Sequence, residues 1–154
     1  MRMPPASGVR ANSPVTLLSV SPNADDHTVL QTIFDRSEYI VRPCATLKSA
    51  ITALSQSHIP IVVTERDLKV GSWRDILEHI FLLPSPPTLI VTSRLADEYL
   101  WAEALNLGAY DVLAKPFDTS EVMRVIASAW LHWTDLQRRI TVRNQQPMVA
   151  MTAA

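Results

Sequence analysis

Five short apolar runs constrain this chain more than any other feature. They cover residues 15–20, 39–41, 61–64, 88–92 and 111–114, and each is followed by a segment whose apolar residues recur every three or four positions. Runs this short and this rich in β-branched residues read as buried strands, and the intervening period reads as amphipathic helix. Strict alternation of strand and helix implies a parallel sheet with helices on both faces and right-handed crossovers. The expected fold is therefore α/β, a doubly wound five-stranded parallel sheet in the flavodoxin-like strand order 2-1-3-4-5. In such a sheet, ligands and chemistry gather beyond the carboxyl ends of the strands. The run Ile61-Val62-Val63-Thr64 stops abruptly at Glu65-Arg66-Asp67, which places Glu65 and its neighbours where a site would be.

The helices are marked by their caps. Ser21-Pro22 is expected to open the first, with Asp25 and Asp26 in its first turn, where the helix dipole favours carboxylates. Val29, Leu30, Ile33 and Phe34 form its buried stripe. Thr46 opens the second, with Leu47, Ala50, Ile51 and Leu54 inward. Ser72 caps the third, ahead of Trp73, Ile76, Leu77 and Ile80. Leu95, Tyr99, Ala102 and Leu105 mark the fourth, ended by Gly108. Asp118 or Thr119 caps the last, which buries Val122, Val125, Ile126 and Ala129. Its pattern runs on through Trp130, Trp133, Leu136 and Ile140. This stripe reads either as a docking surface for a dimer or partner helix, which is favoured because Trp is enriched at interfaces, or as an element folded back on its own domain. The expected organisation is a flexible leader at 1–14, a domain at 15–130, an extension of the last helix at 131–143 and a disordered tail at 144–154.

Composition narrows the function classes. The formal net charge of −1 exerts no long-range pull toward nucleic acid or an anionic membrane. No helix-turn-helix or basic recognition helix follows the last strand. No apolar run reaches the ~20 residues of a membrane span, and the N-terminus lacks a signal-peptide core. The single cysteine, Cys44, rules out an internal disulfide and suits a reducing cytoplasm. With only three glycines the chain has no Gly-rich phosphate cradle. His27, His58, His79 and His132 lack the spacing of metal ligands.

The stretch Leu107-Gly108-Ala109-Tyr110-Asp111-Val112-Leu113-Ala114-Lys115-Pro116-Phe117 resembles the G-A-x-(D/G)-(Y/F)-(L/I)-x-K-P-F signature of response-regulator receiver domains of two-component (phosphorelay) systems. Ile90-Val91-Thr92-Ser93 resembles the family's fourth strand, and Thr64-Glu65-Arg66-Asp67-Leu68 its third strand and loop. The resemblance spans roughly residues 15–130. It implies a CheY-like domain in which an aspartate ending strand three accepts a phosphoryl group. Acidic residues after strand one hold Mg²⁺ there, and a Thr or Ser and a Lys read the phosphate.

Against that pattern the departures carry the expectation. The acidic pair aligns with Ser21 and Pro22, neither a carboxylate. The acceptor aligns with Glu65, one methylene too long for the usual attack geometry. The strand-five aromatic aligns with Val112. Thr92 and Lys115 remain. What the resemblance then implies is a pseudo-receiver lacking the acceptor Asp: not an enzyme, with no cofactor and a degraded Mg²⁺ site. It would act in the cytoplasm as a phosphorylation-independent interaction module, its partner a histidine kinase, another regulator or a second copy. Glu65 either mimics a phosphorylated aspartate or simply pairs with Lys115. The alternative is a phosphoaccepting regulator that uses Asp67 or Glu65.

Overall fold

The computed structural model describes residues 13–145. The expected leader therefore lies almost entirely outside the described residues, as does the expected tail beyond Gln145. In chain order the elements are β1 (Val15–Val20), α1 (Ala24–Ile33), β2 (Tyr39–Cys44), α2 (Leu47–Gln56), β3 (Ile61–Glu65), α3 (Trp73–Ile80), β4 (Thr88–Ser93), α4 (Glu98–Leu107), β5 (Asp111–Ala114) and α5 (Thr119–Gln145). The five strands form one parallel sheet in the order β2-β1-β3-β4-β5, the expected topology.

Successive strand residues point to opposite faces, so each continuous apolar run feeds two cores at once. Leu18, Val20, Val62, Leu89 and Val91 face α2, α3 and α4, where they meet Ala50, Leu54, Trp73, Ile76, Ile80, Leu100 and Ala104. Their neighbours Leu17, Ile61, Val63, Ile90 and Leu113 face α1 and α5, against Leu30, Phe34, Val122, Val125, Ile126 and Ala129. Both layers must be sealed for the strands to lose water on each side, which is why the interior runs lack a polar alternation.

Local chemistry sets the helix ends. Asn23, not Ser21, caps α1 by accepting from the Asp25 N–H at 3.0 Å. Thr46 and Ser72 each form a capping box, with Ser49 and Asp75 as the reciprocal partners. Asp118 caps α5 through the Glu121 N–H. Gly108 ends α4 at φ 115°, a left-handed conformation that favours glycine, and a Cβ there would also press on the tip of the exposed Phe81 ring.

Three expectations shift. Val29 lies on the outer side of α1, because the axis settles on Leu30 and Phe34. The buried face of α4 is Leu100 and Ala104, whereas Leu95, Tyr99 and Ala102 are exposed. β2 runs on through Arg42 and Pro43 to Cys44. It can do so because it is the outermost strand, where a missing ladder donor is tolerated.

α5 is a continuous helix with no break at 130, and it extends to Gln145. Past Ala129 it leaves the sheet but not the body. Trp133 is 9% exposed, set edge-on against His58 at 5.2 Å and stacked with Trp130 at 5.5 Å. Ser85 in the α3–β4 connector donates to Gln137 Oε1 at 2.9 Å. Of the two readings of this stripe, the favoured docking surface does not hold for Trp133, which takes the second: its indole is occupied by its own chain. Leu136 and Ile140 remain 37% and 41% exposed, on one wall of a groove shared with Phe81 and Pro86.

Candidate functional site

Three strands end together at one edge of the sheet. Glu65 is the last residue of β3, Thr92 the penultimate residue of β4, and Lys115 follows β5 directly. The register fixes their approach, since Glu65 sits opposite Thr92 in the β3–β4 pair. The Arg66 N–H donates to the Thr92 carbonyl at 2.8 Å and the Lys115 N–H to the Ser93 carbonyl at 3.0 Å, so the ladder extends one residue past each strand end. The Lys115–Pro116 peptide is cis.

These side chains form one charge cluster. Lys115 Nζ lies 2.6 Å from Glu65 Oε2 and 2.8 Å from Asp26 Oδ2. Thr92 Oγ1 donates to the same Glu65 oxygen at 3.0 Å. Ser21 Oγ donates to Asp26 Oδ2 at 2.6 Å and accepts from the Asn23 N–H at 3.0 Å. The Lys115, Asp26 and Glu65 side chains are only 10%, 12% and 14% exposed, so their attraction is weakly screened. Burial works against the ammonium, but hydrogen bonds and charge from Asp26 and Glu65 outweigh it and hold Lys115 above its ordinary value. A cavity of about 500 Å³ opens beside the cluster, walled by Asn23, Asp25, Val29, Arg94 and Phe117.

The structure therefore brings together Glu65, Thr92 and Lys115, as the sequence placed them. It adds Asp26, which sequence reasoning assigned to first-turn capping. Its position is indeed in the first turn of α1, but its side chain turns inward to a lysine 89 residues away. The only local signal was a pair of carboxylates, of which one, Asp25, is exposed. Ser21 belongs to the cluster through Asp26, whereas Pro22 has no polar side-chain atom to contribute. Asp67 stands outside it: its carboxylate is exposed, pairs with Arg66 at 2.8 Å, and sits in the bridge to Ser72. Val112 packs half-buried against the core on the α2–α4 side. Among the described residues no three His, Cys, Asp or Glu side chains converge as a metal centre.

Residues 19–127 match the family model for the response regulator receiver domain, which is most of the chain and the whole of the sheet's site edge. The chain belongs to the response regulator receiver domain family. Receiver domains are the signalling modules of two-component systems, and typically engage histidine kinases or other regulators. The fold is shared with solved receivers. The signal receiver domain of an HD domain-containing protein from Pseudomonas fluorescens Pf-5 superposes with a TM-score of 0.75, at 22% identity over 82% of this chain and 93% of that one. The receiver domain of a sensor histidine kinase from Pseudomonas aeruginosa PAO1, solved with a magnesium ion coordinated in its active-site cleft, gives 0.68 at 20% identity, covering 77% and 98%. A receiver domain protein from Clostridium thermocellum gives 0.68 at 19% identity, covering 79% and 98%. No curated protein matches the sequence significantly. No helix among the described residues of this receiver domain is long and apolar enough to cross a membrane.

Proposed function

We propose that this receiver domain is a pseudo-receiver, a protein-interaction module whose signalling does not depend on its own phosphorylation. The observation that carries this reading is the closed charge cluster. A single carboxylate oxygen, Glu65 Oε2, takes both the Lys115 ammonium and the Thr92 hydroxyl, the two groups that read a phosphoryl group in the family. The extra methylene of Glu65 carries its charge outward, toward the place a phosphoryl oxygen on a shorter aspartate would reach. The domain is then held with its phosphate readers already engaged.

The donor set supports the same reading. Magnesium demands near-octahedral oxygen coordination and gives up its waters reluctantly. After β1 the chain offers Ser21, whose hydroxyl is committed to Asp26, and Pro22, which has no side-chain oxygen. The two carboxylates of the cleft share one ammonium between them. These residues are ill matched to the ion, and the proposed function uses no metal-dependent step. Asp67 fits an acceptor poorly as well, because it lies outside the cleft and its exposed carboxylate is paired with Arg66.

As partner we propose a protein of the same signalling system, a histidine kinase, another regulator or a second copy. The contact surface would include Trp130, Leu136 and Ile140 on α5, with Trp133 supporting it from beneath.

The test is intact mass after incubation with acetyl phosphate and Mg²⁺, with Glu65→Asp run in parallel. No phosphoryl adduct on the natural protein is the expected result. A stable, acid-labile adduct would overturn the reading, and mapping it would show whether Glu65 or Asp67 carries the group.

A further inference from the structure

Beneath the cluster lies a second, internal network that the proposed function does not use. His27, on α1 and 9% exposed, is bonded through both ring nitrogens. Its Nε2 lies 3.0 Å from the Ser21 carbonyl oxygen and its Nδ1 lies 2.7 Å from Ser19 Oγ. A carbonyl can only accept, so Nε2 carries the proton. In the neutral ring, Nδ1 is then the acceptor and the Ser19 hydroxyl must donate to it. The contacts thus select one tautomer.

Ser21 is held from every side as a result. Its N–H donates to the Cys44 carbonyl at 3.0 Å, its carbonyl accepts from His27, and its hydroxyl oxygen accepts from the Asn23 N–H. The one freedom left is the hydroxyl proton, and that is aimed at Asp26 Oδ2. Asp26 in turn meets Lys115 through that same oxygen. An imidazole with two bonds therefore fixes the β1–α1 loop, the loop fixes Asp26, and Asp26 fixes the ammonium.

We propose that His27 is a positioning residue for the Lys115 cluster, setting the Ser21 loop so that Asp26 rather than solvent is presented to the lysine. This rests on the reading of the cluster as the functional centre of a pseudo-receiver. Where the family pattern is lost after β1, Ser21 and His27 together supply a hydrogen-bonded brace in its place.

The experiment follows the side-chain ammonium of Lys115 by NMR in the full chain labelled with 15N-lysine. An ammonium held by fixed acceptors exchanges its protons slowly, and a released one exchanges fast. In His27→Leu, which keeps bulk but makes neither bond, exchange at Lys115 is expected to quicken roughly threefold or more, the change that follows from weakening one hydrogen bond by about half its net worth. His27→Gln, which can still offer an N–H toward the Ser21 carbonyl, is expected to recover part of the protection. Ser21→Ala should match His27→Leu. If His27→Leu fails to fold, Ser19→Ala removes only the donor to Nδ1 and is expected to act in the same direction. Lys115 protection unchanged in both His27→Leu and Ser19→Ala, but lost in Ser21→Ala, would overturn the role of His27 while leaving the cluster intact. Fast exchange at Lys115 in the natural protein would instead overturn the cluster reading itself.

Discussion

Lys115 holds two carboxylates that would otherwise face each other at the sheet edge. Removing the cation leaves Asp26 and Glu65 as like charges with little access to water. Lys115→Met is therefore expected to lower stability by about 3 kcal/mol, the low end of the range for breaking a buried pair because some exposure remains. Urea denaturation should show this as a lower midpoint at unchanged slope. The triple variant Lys115→Met, Asp26→Asn, Glu65→Gln should regain most of the loss, since no uncompensated charge is left. The pH response has a definite sign. A lysine raised in the folded state contributes its full stability below the ordinary value of 10.5 and loses it as pH climbs through the higher folded value. The urea midpoint of the natural protein is expected to hold through neutral pH and then drop in that alkaline window. Lys115→Met should lack that part of the drop. At this scale Glu65, Thr92 and Lys115 were legible in the sequence because each is pinned to a strand end by its position. Asp26 was not, because a carboxylate in a first turn already has a sufficient local reason, and its second partner is set only by the way the sheet brings the ends of β1 and β5 to one edge.

Among the elements, α5 has the packing least legible in the sequence. Its stripe of Trp133, Leu136 and Ile140 reads from sequence as uncovered, since no local pattern reveals that the loop before β3 and the proline-rich connector before β4 rise to meet it. Trp133→Ala is expected to cost about 3 kcal/mol, at the low end for a buried aromatic. Trp133→Phe should cost much less, because the buried indole Nε1 finds no hydrogen-bond partner among the described residues. Hydrogen exchange should locate the damage. In Trp133→Ala, amides of the helix beyond 130 are expected to lose protection while those around Val122 to Ala129 keep it. The misassigned face of α4 has a related cause. Tyr99 and Leu95 supply an apolar pattern in the wrong phase, and only packing on the sheet selects Leu100 and Ala104.

At the scale of the molecule, the charge cluster and the α5 dock lie at opposite ends of the same strands. His58 precedes β3 and Glu65 ends it, a separation of about 20 Å at ~3.3 Å per residue. Effects at the two ends should be independent: the stability loss of Lys115→Met with Trp133→Ala is expected to equal the sum of the single losses within about 0.5 kcal/mol. A clear departure from that sum would reveal coupling through β3 and α5. The fold itself was legible throughout, because the interior strands are buried on both faces and every crossover carries a helix, which leaves few alternatives to the doubly wound sheet. Strand ends, by contrast, were legible only where charge or proline coincides with a true terminus, and at β2 proline does not.

That exception matters for a domain whose sheet is open at its sides. β2 closes one side of the sheet, and its outward row of backbone groups is a template on which an unrelated extended chain can grow as an added strand. Pro43 interrupts the donors of that row and Arg42 sets a charge beside the gap. The β2 margin is thereby made unattractive for open-ended stacking into fibres.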